Sequence, residues 1–189
     1  MKRDPDFMAM ALDLARLGLG RTSPNPAVGA LIVKGRKILA TGFHRRAGLP
    51  HAEVEAINKV CRGGVLPPQK GMILYVTLEP CCHYGRTPPC TDAILKSGIS
   101  EVVIGMRDPD PKVSGRGIRI LKKNGIRVRE GILRRECEEL NEAYVKHRRT
   151  GMPFVLLKMA MSLDGKVATR SGRPRWITGP EARALVHEM

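Results

Sequence analysis

Glu79-Pro80-Cys81-Cys82-His83-Tyr84-Gly85-Arg86-Thr87-Pro88-Pro89-Cys90, read together with His51-Ala52-Glu53 upstream, is the stretch around which the chain is organised. Cys81 and Cys90 each follow a proline and can each supply a thiolate, and His51 supplies an imidazole nitrogen. Three soft or borderline ligands suit a tetrahedral zinc and leave its fourth position open for water, as in a catalytic site and not a structural one. Cys82 competes for the same role, but only Cys81 directly follows Pro80, so Cys81 is the expected donor. Glu53 is then free to carry protons beside that water. Deep in a helix His51 and Glu53 would stand about 200° apart; in a first turn both can face a site beyond the helix end.

Outward from this stretch the pattern is α/β. Met72–Leu78 reads as a strand whose C-terminal end carries the cysteines. Thr91–Ser97 reads as a helix, Glu101–Met106 as a strand, Gly117–Lys123 as a helix and Ile126–Glu130 as a strand. Such alternation implies parallel βα units, and ligands of such sheets sit at the carboxyl ends of the strands. Upstream, Ala27–Val33 and Ile38–Phe43 form a hairpin around Lys34-Gly35-Arg36-Lys37, so the sheet is mixed. Asp4-Pro5 opens an amphipathic first helix, with Asp4 as its cap. One last helix is expected from Arg134 to about Arg149, acidic early and basic late. Thr150-Gly151-Met152-Pro153 then breaks the pattern, Phe154–Met161 reads as a new strand, and Thr178-Gly179-Pro180-Glu181 starts a helix.

The 189 residues are 42% hydrophobic and 27% charged, ordinary for a globular protein. No apolar run reaches the roughly 18 residues a membrane helix needs. Met1-Lys2-Arg3-Asp4 leads into an amphipathic helix and not into the apolar core of a signal peptide, so a cytoplasmic protein is expected. Three of five cysteines crowd into ten residues, which points to metal before disulfide. A net charge of +15 invites a nucleic-acid partner, yet the excess is spread along the chain and aromatics are only 4%, too few for base-stacking platforms. A phosphorylated small substrate fits at least as well.

The pattern H-x-E followed by P-C-x-x-C marks zinc deaminases, with the Glu as general acid/base and not a ligand. Here the second cysteine follows after eight intervening residues, not two. With Ser23-Pro24-Asn25-Pro26, Gly42-x-His44, Tyr75-Val76-Thr77-Leu78-Glu79-Pro80-Cys81, Met106-Arg107-Asp108-Pro109, Asn141-Glu142 and Ser162-Leu163-Asp164-Gly165-Lys166, the chain resembles the riboflavin-biosynthesis bifunctional deaminase/reductase family over nearly its whole length. The resemblance implies a three-layer α/β/α cytidine-deaminase fold for residues 1–147, with one zinc on His51, Cys81 and Cys90 and with Glu53 as the catalytic acid/base. It implies hydrolytic release of ammonia from 2,5-diamino-6-ribosylamino-4(3H)-pyrimidinone 5′-phosphate. It also implies an NADPH-dependent reductase with a dihydrofolate-reductase-like fold. Residues 151–189 fall far short of such a domain and read as its truncated opening.

By the same resemblance Asn25, His44, His83 and Arg86 line the pyrimidine and phosphate pocket, and Asp108 and Asp110 either contact substrate or cap a turn. In the tail Lys158, Ala160 and Trp176 match positions the family uses for substrate or NADP. Pro174 stands where a polar contact belongs, which counts against a reductase activity in this chain. The apolar run from Val155 to Met161 lacks partner strands, so it is expected to fray or to pair with a second copy in a homodimer. Two other readings stay open at this point. One is a nucleic-acid adenosine deaminase, whose P-C-x-x-C is missing. The other is a closed zinc module binding RNA or protein, which would need Cys82 or His83 as a fourth ligand.

Overall fold

The structure, a computed structural model, describes residues 3–61, 71–85, 87–111, 113–172 and 176–188. Arg86 and Pro174, both singled out above, lie outside the described residues. The chain divides into two compact units, Met1–Phe154 and Val155–Met189.

In the first unit a five-stranded mixed sheet runs β2 (Lys37–Phe43), β1 (Gly29–Lys34), β3 (Met72–Leu78), β4 (Ile99–Met106), β5 (Arg127–Glu130). β1 pairs antiparallel with both β2 and β3, while β3–β4 and β4–β5 are parallel. Helices α1 (Asp4–Arg16) and α5 (Arg134–Leu140) cover one face; α2 (Ala52–Val60), α3 (Cys90–Lys96) and α4 (Arg116–Lys123) cover the other. This is the expected three-layer α/β/α arrangement. Because both faces are covered, the inner strands are apolar almost throughout, and Leu31, Ile32, Leu74, Val102 and Ile104 are buried. The outer strand β5 is half-buried and carries Arg127 and Arg129, charges that suit an edge.

Two close approaches set the site. A Cβ at Gly42 on β2 would strike the Ala52 carbonyl, so glycine there lets the first turn of α2 lie directly on the sheet. A Cβ at Gly117 would strike the Pro80 carbonyl, so glycine there seats α4 against the loop that carries Cys81.

Three expectations need correction. First, the cap of α1 lies one residue earlier than expected: Arg3 is the N-cap, Asp4 is already the first helical residue, and the Arg3 N–H donates to Asp6 Oδ2 at 2.6 Å. Asp4 is drawn instead into tertiary contacts. Its carboxylate accepts from the Tyr75 hydroxyl at 2.7 Å and pairs with Arg129, whose Nε also donates to Glu101 at 2.6 Å. Second, the single helix expected over Arg134–Arg149 is two, α5 and α6 (Glu142–Thr150). The break falls at Asn141, whose side chain accepts from the Ala27 N–H at 2.8 Å and donates to the Ala27 carbonyl at 2.9 Å. That reciprocal pair re-aims α6. Third, Phe154–Met161 forms no strand: its backbone has no ladder partner among the described residues.

The second unit holds a turn closed by Ser162 N–H to the Lys166 carbonyl at 2.9 Å and helix α7 (Pro180–Glu188). Arg183 stacks on the Trp176 ring at 4.3 Å.

Candidate active site

β3 and β4 end side by side, with Leu78 opposite Met106, and the chain leaves each strand into the site. Glu79, buried just past β3, ties the two exits together. Its carboxylate accepts the N–H groups of Asp108 (3.3 Å), Gly115 (2.9 Å), Gly117 (3.0 Å) and Ile118 (3.3 Å), so it satisfies orphan donors in the first turn of α4. The residue that opens the decisive stretch therefore has a structural task that the sequence reading did not assign.

His51 is the N-cap of α2, with extended backbone, so it stands outside the helix that contains Glu53. Cys90 is the first residue of α3, with Pro89 as N-cap. His51 Nδ1 lies 3.2 Å from Cys90 Sγ and 3.6 Å from Cys81 Sγ, and the Cys90 N–H donates to Cys81 Sγ at 3.3 Å. The three donor atoms lie within 4.8 Å of one another. Ligands on one tetrahedral zinc sit about 3.5–3.8 Å apart, so this donor set fits the ion in both spacing and chemistry. Cys82 stands outside the group, and Cys137 is buried on α5.

Two helix N-termini converge here, which favours negative charge. Hydrogen bonds from Cys90 and then His51 hold the Cys81 thiol down at about 4, while the same Cys81 contact pushes Cys90 well above the usual thiol range. One proton thus belongs to the pair, with negative charge favoured on Cys81. Glu53 sits in the first turn of α2, and burial, followed by the Cys81 charge, lifts its carboxyl to about 7. Its neighbours include the Cys90 thiol, to which it is hydrogen-bonded.

A cavity of about 280 Å³ opens over these groups. On one wall Asn25 Nδ2 meets His44 Nε2 at 3.1 Å, and His44 Nδ1 meets the Pro50 carbonyl at 3.2 Å. The carbonyl requires a proton on Nδ1, so Nε2 is the acceptor. Burial lowers the His44 pKa, which keeps the ring neutral. Asp108 lines the cavity with its carboxyl raised by burial, accepts the Asp110 N–H at 2.9 Å and receives the Tyr144 hydroxyl at 3.3 Å. It therefore both caps a turn and faces the cavity. Asp110 itself pairs with Arg148 at 3.5 Å. His83 and Thr87 complete the rim.

Among the sequence candidates, the structure thus gathers Asn25, His44, His51, Glu53, Cys81, His83 and Asp108 on one cavity, with Cys90 beneath. Tyr144 and Arg148 on α6 line it as well and were not foreseen. Lys158, Ala160 and Trp176 belong to the other unit; Lys158 and Trp176 are exposed and Ala160 is half-buried.

The pattern described as the cytidine and deoxycytidylate deaminase zinc-binding region matches residues 1–106, and the RibD C-terminal domain matches residues 153–189. The riboflavin biosynthesis protein RibD of Bacillus amyloliquefaciens is 52% identical over 94% of this chain and 46% of its own length. That of Escherichia coli is 48% identical over 96% and 48%. A solved Thermotoga maritima structure, described as a diaminohydroxyphosphoribosylaminopyrimidine deaminase and 5-amino-6-(5-phosphoribosylamino)uracil reductase, superposes with a TM-score of 0.91. It is 49% identical, over 98% of this chain and 52% of that one. The chain spans about half the length of these relatives.

Proposed function

This chain belongs to the cytidine and deoxycytidylate deaminase zinc-binding family, in its RibD branch, and on that footing we propose that residues 1–154 catalyse the first of the two activities by which the Thermotoga relative is described. The reaction is hydrolytic removal of the 2-amino group of 2,5-diamino-6-ribosylamino-4(3H)-pyrimidinone 5′-phosphate as ammonia. The observation that carries this reading is the buried Glu53 carboxyl beside the His51/Cys81/Cys90 donors at one cavity. His51, Cys81 and Cys90 hold the zinc, one per chain. When bound, zinc lowers the pKa of a water toward about 7 and so supplies a nucleophile at neutral pH.

Every proton the reaction moves can pass through Glu53. Its carboxylate accepts a proton from the attacking water and delivers it to the ring nitrogen as the amino-bearing carbon becomes tetrahedral; it then takes the second proton from the new hydroxyl and passes it to the amino group, so that ammonia leaves as the carbonyl forms. A carboxyl lifted toward neutrality serves in turn as base and acid without a large penalty in either direction. Neutral His44, its Nδ1–H given to the Pro50 carbonyl and its Nε2 accepting from Asn25, fixes the Asn25 amide, whose oxygen then faces the pyrimidine edge. Asp108, held by Tyr144 and the Asp110 N–H, faces the same space. His83 and, by resemblance, Arg86 meet the ribose phosphate.

A small molecule is the substrate in this reading and nucleic acid is not a partner, because aromatic residues are scarce. The free thiols suit a reducing cytoplasm, and no helix among the described residues is long and apolar enough to cross a membrane. Exposed Val155, Leu156 and Leu157 favour self-association into a homodimer. For residues 155–189 alone we propose no NADPH-dependent reduction, because Lys158 and Trp176 stand exposed and a cofactor pocket needs walls on several sides. The test is ammonia release from the phosphorylated diaminopyrimidine by the zinc-loaded chain, with tRNA as competitor. Release that tRNA does not inhibit is expected; no release, or competition by tRNA, overturns the reading.

A further inference from the structure

The substrate proposed above carries a phosphate, and the cavity is otherwise hostile to one. Its wall holds the carboxyl side chains of Glu53, Glu79 and Asp108. A dianion entering that space passes three acidic side chains and is held best where a cation faces it. Among the described residues of the wall, Arg148 is the one guanidinium or ammonium group.

Arg148 reaches the cavity through a chain of contacts that begins far away in sequence. Asn141 breaks the α5–α6 helix and clips the start of α6 to Ala27, next to the Pro24-Asn25-Pro26 wall. Tyr144 and Arg148 then follow at positions i and i+4, on one face of α6, and both look into the cavity. The guanidinium stacks over the Tyr144 ring at 5.2 Å, and the Tyr144 hydroxyl is in turn held by Asp108. The stack fixes the plane of the fork. Among the described residues its one ion pair is Nη1 to Asp110 at a long 3.5 Å, a hydrogen bond joins it to the Tyr144 side chain, and the side chain keeps 41% of its exposure. A guanidinium has five N–H donors, so several remain for a ligand.

We propose that Arg148 is a specificity-determining residue of this site: its guanidinium, presented by α6 and oriented by Tyr144, binds the 5′-phosphate of the substrate. Phosphate is the fitting ligand because a planar fork meets it with two parallel bonds, and because the neighbouring carboxylates repel anions that the fork does not hold. The proposal rests on the deaminase reading for the identity of the substrate, but not for the presence of an anion subsite.

The test uses the zinc-loaded full chain and two substrates, the phosphorylated diaminopyrimidine and its dephosphorylated riboside. Arg148→Ala is expected to lower kcat/KM for the phosphorylated substrate by about 10- to 100-fold, chiefly through KM, and to leave the riboside unchanged. Arg148→Lys is expected to recover part of the loss as a point charge. An equal loss on both substrates, or none on either, overturns the proposal. A second arm needs no turnover: ribose 5-phosphate is titrated calorimetrically into both proteins, with ribose as control. Binding at least about 10-fold weaker in Arg148→Ala supports the subsite even if the wild-type chain releases no ammonia, which would sink the deaminase reading alone. Equal binding of ribose 5-phosphate by the two proteins sinks the Arg148 assignment alone.

Discussion

Val102-Val103-Ile104 and Val155-Leu156-Leu157 are almost the same kind of sequence, and they have opposite fates. The first triplet lies in the middle of β4, hydrogen-bonded to β3 on one side and β5 on the other, and each side chain is 0% exposed. The second is 76%, 62% and 77% exposed and forms no strand. β-branched and apolar residues therefore do not make a strand by themselves. The ladder partners and the covering helices do, and propensity only says that the residues suit that place once it exists.

The comparison breaks most readily in the core. Ile104→Ala leaves a cavity between the sheet and its helices, and it should cost about 2–5 kcal/mol in chemical denaturation. A loss under 1 kcal/mol would mean that β4 is less tightly enclosed than its burial implies.

Next in size comes the link across the edge of the sheet. Asp4→Asn removes the Arg129 pair and should cost about 1 kcal/mol at neutral pH, since both side chains are partly solvated. The Arg129 hydrogen bond holds the Asp4 carboxyl below its ordinary 3.8. Its contribution is therefore present above that value and is lost as pH falls through the lower, folded one. Wild type and Asp4→Asn should converge in stability under acid. A gap between them that persists at pH 2 would show that Asp4 acts by some route other than its charge.

The smallest effect belongs to the other region. Leu157→Ala should change stability by less than about 0.5 kcal/mol, because little burial is lost. A cost near that of Ile104→Ala would show that the residue is covered in solution, for instance by a second copy, and concentration-dependent sedimentation would then identify that cover.

The same contrast explains what the sequence disclosed. The alternation from Met72 to Glu130 was legible because each βα step is local, and the zinc donors were legible because His51-Ala52-Glu53 and Pro80-Cys81 impose chemistry at short spacing. What stayed hidden depends on contacts between distant residues. Nothing near Asn141 marks a break, since the helical pattern runs on through it; the cause is Ala27, 114 residues away. Without that break, Tyr144 and Arg148 read as the solvated face of a helix, so Arg148, the cation among the described residues of the cavity wall, was missed. Asp4 has every local mark of an N-cap, but Arg129 and Tyr75 claim its carboxylate. Glu79 opens the decisive stretch, and its four N–H partners come from beyond the next strand.

The central claim is that Glu53 moves protons at a metal held by other residues, so metal binding and turnover must separate at this position. Zinc content and ammonia release are to be measured together on wild type and Glu53→Gln, which preserves the shape of the buried side chain. The account predicts one zinc per chain in both proteins, with ammonia release slower by about 10² or more in the variant. Near-normal turnover by a fully metallated Glu53→Gln protein would contradict it.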